Sequence, residues 1–445
     1  MKPSLTTTAN ALWRRFLAPR DLSGPLVQNT LWVLGGYGLR LLIQAGYFIM
    51  MARYLGPKQY GGFIAATALV SLISPFVGLG IGNLLVKNIA RDKQQFAEYW
   101  GNGLCLTFLS GSGFSVLVIG FCVALLPRSI PVLAIVLISA SDLIFVKLLE
   151  LAAWAFQAFE MLSQNARLNV LLSVSRLLGI VCLALAFAHP SILAWSGVYL
   201  AGSVIAALIA LVWVNISLGR PRIALGRLGG ERAEGLYFSI SFSAQTIYND
   251  IDKSMVARLV SLEAAGVYGA AYRLIDVAFI PVKALLSAAY PVFFRAGREG
   301  VRDSMRFGLH LLKRAAPYSM LASAALFIGA PLVPRVLGRD YAAVTEALRW
   351  LALLPLLKTI HYFAADSLTG ANYQGLRTLA QVGVAVFNVL VNLWIIPAYG
   401  WRGAAWSSLA SDGVLALILW SIVLRLSSVS SRTGERPAMV VTESA

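Results

Sequence analysis

Apolar residues in this chain fall in long blocks divided by short polar breaks, and the blocks, rather than any periodicity within them, define the elements. A run of about 20 apolar residues, rising 1.5 Å per residue, crosses a hydrocarbon core of about 30 Å. Run length, charged flanks and Gly/Pro punctuation predict spans over 26–50, 62–86, 101–126, 131–153, 168–188 and 192–216. After a polar stretch a second set follows over 236–257, 266–294, 315–337, 348–368, 378–397 and 403–424. The pattern is that of an all-α polytopic membrane protein with about twelve transmembrane helices.

Composition agrees, because 58% of the 445 residues are hydrophobic and only 13% are charged, against about 25% charged in an average soluble domain. The formal charge of +17 would point to nucleic acid in a soluble protein. Here the basic residues collect in alternate loops, so they report orientation and no nucleic-acid site is expected. The richer set holds Arg14, Arg15 and Arg20, then Lys87, Arg91 and Lys93, then Arg220, Arg222, Arg227 and Arg232, then Arg295 through Arg314. Placing these loops inside puts both termini in the cytoplasm. Arg14-Arg15-Phe16-Leu17 is read as a basic cytoplasmic flank, not an export signal, since no small-residue cleavage site follows. Cys105, Cys122 and Cys182 sit inside apolar runs without CxxC spacing, and the three histidines have no ligand spacing, so neither a disulfide nor a metal or other cofactor is expected.

The chain repeats itself. "MARYLGPKQYGGF" from Met51 has a worn copy, "VARLVSLEAAGVY", from Val256, in which Ala52-Arg53 aligns with Ala257-Arg258, Gly61 with Gly266 and Phe63 with Tyr268. The offset is roughly 205 residues, and each copy joins the first two helices of its half. The polar segment 217–235 lies midway, as a linker between halves should. The expected organisation is a cytoplasmic flank (1–25), a six-helix bundle (26–216), a cytoplasmic linker (217–235), a second six-helix bundle (236–424) and a cytoplasmic tail (425–445), with the bundles as parallel repeats.

About fourteen ionisable residues fall within these spans, and exposing all of them to lipid at about 3 kcal/mol each would cost roughly 40 kcal/mol. They must face one another or a wet cavity. Arg273, Asp276 and Lys283 share one face of the eighth span, Ser241, Gln245, Asn249, Asp252 and Lys253 form a stripe on the seventh, and Tyr37, Arg40, Gln44 and Tyr47 another on the first. Lys147 with Glu150 reads as a local ion pair, and Arg273 with Asp276 as either such a pair or a binding pair. Arg176, Asp366 and Asp412 read as isolated charges that snorkel or bond across helices. Arg40, near mid-span with no acid on its own helix, implies an anionic partner. Arg53 and Arg258 close the first and seventh helices at the outer side, either as anchors or as guanidinium forks for phosphate. Asp250, Asp252 and Asp276 are the candidates for coupling to an ion gradient.

With these residues in hand, the chain resembles the polysaccharide flippases of the multidrug/oligosaccharidyl-lipid/polysaccharide exporter superfamily. The likeness rests on "ARYLGPKQYGGF", "GLGIGNLLVKNIARD", "AGVYGAAYRL", "VLGRDYAAVTEALRWLALLPLL" and "NVLVNLWIIPAYGWRGAAWSS", which together cover nearly the whole sequence. It implies a V-shaped pair of bundles of MATE type in a bacterial inner membrane, working by alternating access through a cationic central cavity. The cargo it implies is a polyprenyl-pyrophosphate-linked oligosaccharide moved from the cytoplasmic to the periplasmic leaflet for surface polysaccharide, with polymerase and export proteins as partners. A pyrophosphate cannot cross hydrocarbon unpaired, and Arg40, Arg273 and Lys283 would compensate it. Gly78, Gly80, Pro281 and Pro291 are candidate bending points.

Three rivals are weaker. A cation-coupled multidrug exporter of the same superfamily should present net acid, which the first helix lacks. A membrane-embedded polymerase or ligase should carry a sizeable outer loop with acid or histidine chemistry, and every outer loop drawn here is short. A scaffold without transport would leave the intramembrane charge purposeless.

Overall fold

The computed structural model describes residues 25–89, 92–188, 190–224, 232–298 and 300–433, with side chains from residue 43 onward apart from 232–242, 429–433 and scattered positions. The flank 1–24, the side chains of Tyr37, Arg40, Ser241 and Gln245, His189, residues 225–231 of the linker and the tail beyond 433 lie outside the described residues.

The described chain is helical throughout. Helix α1 (Pro25–Ile73) turns at Gly56 (φ 69°, ψ 167°), just before Pro57, so it comprises the first span and the start of the second. A 3₁₀ segment (Ser74–Gly80) and α2 (Ile81–Ile89) complete that second span. Then come α3 (Phe96–Leu125), α4 (Val132–Ala140), a π turn (Ser141–Phe145), α5 (Val146–Ala158), α6 (Leu162–Ala186) and α7 (Ile192–Ser217). The second set comprises α8 (Arg232–Leu259), α9 (Leu262–Gly297), α10 (Val301–Gly329), the short α11 (Val333–Leu337), α12 (Val344–Leu351), α13 (Leu354–Gly370), α14 (Gln374–Tyr399) and α15 (Trp401–Thr433).

Local chemistry sets the boundaries. Ser191 and Ser261 cap α7 and α9, their hydroxyls accepting from the N–H groups of Ala194 (3.2 Å) and Ala264 (3.0 Å). The second span breaks at Gly78-Leu79-Gly80, all with positive φ. The backbone donor freed there is taken up by Ser110, whose hydroxyl accepts from Gly78 N–H at 2.8 Å. By contrast α9 runs as one helix through Pro281 and Pro291, so of the candidate bending points only the glycines coincide with a break. The predicted fourth and tenth spans are each made of two helical pieces, joined by the π turn and by residues 352 and 353.

Eight described stretches are long and apolar enough to cross a membrane, the first of them, Ile43–Val86, taking in parts of two predicted spans. Helices α8, α9 and α13 are not among them. Helix α13 has only 17 residues, and α9 carries Arg273, Asp276 and Lys283 along its length.

Helices α1 to α7 pack mainly on one another, as do α8 to α15, and the two sets meet where α1 lies along α8 and α9. The duplicated sequence stretches form this seam. A Cβ on Gly61 would overlap the carbonyl of Leu262, and one on Gly266 would overlap the carbonyl of Pro57. Those two carbonyls are themselves equivalent under the sequence repeat, so the contact is reciprocal. Glycine is required at both positions because backbone lies against backbone. Ser254 and Ser243 extend the seam, their hydroxyls donating to the carbonyls of Ala65 (2.9 Å) and Leu72 (2.7 Å). Tyr341 adds a bond to the Ala52 carbonyl at 3.0 Å.

Candidate functional site

Alongside the seam, α1, α6, α7 and the π turn face α8 and α9 across a cavity of about 270 Å³. The first half contributes a largely aromatic wall, with Tyr47, Phe48, Tyr60, Phe63 and Tyr199, and the second contributes Asp250, Lys253, Tyr272, Arg273 and Asp276. Tyr47 and Tyr60 are almost fully buried, and among the described residues their hydroxyls have no hydrogen-bond partner. They are free to bind a polar ligand.

Among the described residues, six charged groups line this space: Arg176, Lys253 and Arg273, and Asp142, Asp250 and Asp276. The described part of the walls is therefore formally balanced, where Arg40, Arg273 and Lys283 alone would have made it cationic. The difference arises from acids on other helices. Asp142 is turned inward from the π turn, where it accepts from Tyr199 at 2.8 Å and lies 3.5 Å from Arg176. Arg176 also donates to the Tyr199 hydroxyl at 2.6 Å and stacks over its ring. Arg176 thus bonds across helices within a three-residue cluster, the second of the two arrangements expected for it. Lys253 is paired with Asp250 one turn before it on α8, and its ammonium also donates to the carbonyl of Asn249 at 2.7 Å.

Arg273 and Asp276 differ from these. Each lines the cavity, and neither makes a hydrogen bond or ion pair among the described residues, so their i, i+3 spacing does not produce a closed pair. Asp276 feels Lys358, Lys283, Lys253 and Arg273 together. Lys358 stands behind the wall, donating to Asn249 Oδ1 at 2.8 Å with its ammonium 5.3 Å from the Tyr272 ring centre. Lys253 lies on that same ring at 4.2 Å.

The remaining predicted residues take other places. Asp252 is fully buried behind the wall, accepting from Tyr268 (2.5 Å) and Ser408 (2.9 Å). Asn249 organises two lysines without lining the cavity. Lys283 is exposed near Phe279, 5.7 Å from its ring centre. Arg53 and Arg258 are exposed at the ends of their helical segments, and Gln44 is half-buried beside the cavity-lining stretch of α1. Asp366 and Asp412 also bond across helices, one of the two arrangements expected for them: Asp366 with Arg377 at 3.1 Å, and Asp412 with His361 at 2.8 Å. Lys147 bonds Glu150 at 2.8 Å, as its spacing implied.

Sequence reading passed over Tyr199, Tyr272 and the link between Asp142 and Arg176, because these contacts join helices far apart in the chain. One signal was available: aromatic residues bearing a hydroxyl recur next to the intramembrane charges.

Comparison with known proteins places this geometry. The profile of a family described as polysaccharide biosynthesis protein matches residues 26–296. A probable low-salt glycan biosynthesis flippase of Haloferax volcanii is 22% identical over 414 residues, covering 88% of this chain and 82% of its own length. Among solved structures, a multidrug resistance MATE family transporter of the MOP superfamily in an inward-facing conformation superposes with a TM-score of 0.76 at 14% identity, over 91% of this chain and 100% of that one. A MOP superfamily transporter of Pyrococcus furiosus, described as having a binding pocket of reverse polarity, gives 0.64 at 16% identity, over 90% and 95% of the two chains. The fold is MATE-like, that of an all-helical, multi-span membrane protein.

Proposed function

Because the chain belongs to the polysaccharide biosynthesis protein family, we propose that it is a flippase for lipid-linked glycans, a transporter and not an enzyme, with a polyprenyl-pyrophosphate-linked oligosaccharide as its cargo. The cargo passes from the cytoplasmic to the periplasmic leaflet of a bacterial inner membrane and feeds surface polysaccharide assembly. Both termini are cytoplasmic, and the six-helix halves, 26–216 and 236–424, rock against each other.

The observation that carries this reading is Arg273, a guanidinium on the cavity wall with no partner among the described residues. Held at bilayer depth, it needs an anion, and its planar fork suits a phosphate oxygen pair. Arg40 is assigned to the same role from sequence. The aromatic wall opposite, with the free hydroxyls of Tyr47 and Tyr60, suits a sugar ring, which offers apolar C–H faces and hydroxyls together. The lipid tail needs no cavity, since it is at home in the bilayer. A cationic drug is a poorer fit, because Asp142 and Asp250 are already engaged by Arg176 and Lys253, and Asp276 lies among cations.

The test is reconstitution. Proteoliposomes holding the protein should flip a fluorescent polyprenyl-pyrophosphate-linked sugar, and Arg273→Ala should lose at least about tenfold of that rate while remaining folded in the membrane. Equal flipping by the variant removes the assignment.

A further inference from the structure

We propose that Asp276 is a tethered anion that occupies the cationic part of the cavity when it is empty and is displaced from it by the pyrophosphate of the cargo, so that it sets affinity low enough for release. The inference rests on the flippase reading above and concerns the same site.

Three observations carry it. Asp276 lines the cavity one turn from Arg273, yet among the described residues it makes no hydrogen bond or ion pair, whereas Asp142 and Asp250 on the same walls are both engaged. The charges that act on it most strongly are four cations from three helices, Lys253, Arg273, Lys283 and Lys358. Finally, the acid is present on one half only. Under the repeat register that pairs Gly61 with Gly266, Arg273 and Asp276 correspond to Ala68 and Ser71, which line the same cavity from the first half. The free cation and its unattached counter-charge thus occur together on α9, one turn apart, and neither has a charged equivalent at the matching position of the first half.

The physical consequence follows from the charge balance. A cation such as Arg273, facing the cavity at bilayer depth with no partner among the described residues and with further lysines behind it, is unfavourable. If only the cargo could relieve it, the full electrostatic gain would go into binding, and release would be slow. Transport requires a site favourable enough to enter and weak enough to leave. With Asp276 in place, binding exchanges one anion for another, and the carboxylate returns to the cluster as the pyrophosphate departs. Asp276 acts through Arg273 and the lysines, not by touching the cargo, which makes it a positioning residue that governs affinity.

Two variants test this in the full-length protein in lipid nanodiscs: Asp276→Asn, nearly isosteric, and Asp276→Ser, the residue type at the matching position of the first half. The probe is farnesyl pyrophosphate, with farnesol as the uncharged control. Both variants should bind the probe about tenfold more tightly than wild type, and in proteoliposomes both should flip a labelled lipid-linked sugar more slowly. A merely structural role would not tighten binding. Wild-type binding that depends on Arg273 but is not strengthened in either variant overturns the proposal. Tighter binding without slower turnover overturns the release role. Failure of both variants to fold would mark Asp276 as a structural counter-ion and overturns it too. If wild type does not prefer farnesyl pyrophosphate over farnesol, the flippase reading beneath the proposal falls instead.

Discussion

At the residue scale, what separates Arg273 from Arg176, Lys253 and Lys358 is the absence, among the described residues, of a hydrogen-bond or ion-pair partner. Replacing it by lysine keeps the charge but not the planar fork, so Arg273→Lys should retain an intermediate flipping rate, between wild type and the alanine variant. Paired charges should behave in the opposite way. Asp366→Asn leaves Arg377 buried without its carboxylate, which should cost about 3 kcal/mol of stability in thermal or denaturant melts and leave pyrophosphate affinity unchanged. Outside the membrane-spanning segments, the two-point bond from Arg402 holds the Glu346 carboxyl below its usual range. That contribution is complete above the ordinary carboxylate pKa and is lost as pH falls through the depressed value. Both side chains are about half exposed, so screening keeps the effect small: Glu346→Gln should lower the melting temperature by about 2 °C or less near neutral pH, and by less still in acid. Residue identities in the site were partly legible in the sequence. The helical spacing of Arg273 and Asp276 put both on one face, but that Asp142 neutralises Arg176 depends on a contact spanning 34 positions, and local spacing holds no trace of it.

At the scale of elements, the spans were legible because hydrocarbon thickness imposes their length, and the observed helices extend the predicted ones by a few residues at most ends. Breaks within spans were less so. Gly78 and Gly80 announced one, since consecutive positive φ angles favour glycine, but the π turn that presents Asp142 has an ordinary sequence, "SDLIF", and its extra residue is a matter of packing. Leu79 shares the left-handed conformation of its glycine neighbours (φ 47°, ψ 42°), which costs a residue with a Cβ about 1–2 kcal/mol. Leu79→Gly should recover part of that, less the entropy that glycine loses on folding, and a rise in melting temperature would show it. The glycines at the seam predict the reverse. Gly61→Ala and Gly266→Ala each drive a Cβ into a backbone carbonyl, and either should destabilise the chain by about 1–3 kcal/mol, the two effects being similar because the contacts are reciprocal.

At the scale of the molecule, the internal repeat was visible as a worn sequence match, but that its two copies touch each other could not be read from it. Symmetry supplies the reason: equivalent segments near an axis relating two halves must approach their own counterparts. The seam is thus where the halves must part if they rock. Ile64 and Gly269, a further equivalent pair, test this directly, because a Cβ on Gly269 would stand 3.6 Å from that of Ile64, within the range of about 3.5–4.5 Å that a disulfide spans. In a chain otherwise free of cysteine, Ile64→Cys with Gly269→Cys should crosslink on oxidation and join the halves at this level. Were the transport cycle to require separation here, flipping would stop in the oxidised protein and return on reduction, while pyrophosphate binding from the open side would persist. Full crosslinking with undiminished flipping would mean that the seam stays shut throughout the cycle, and that the cargo passes by a movement of fewer helices than the two halves entire.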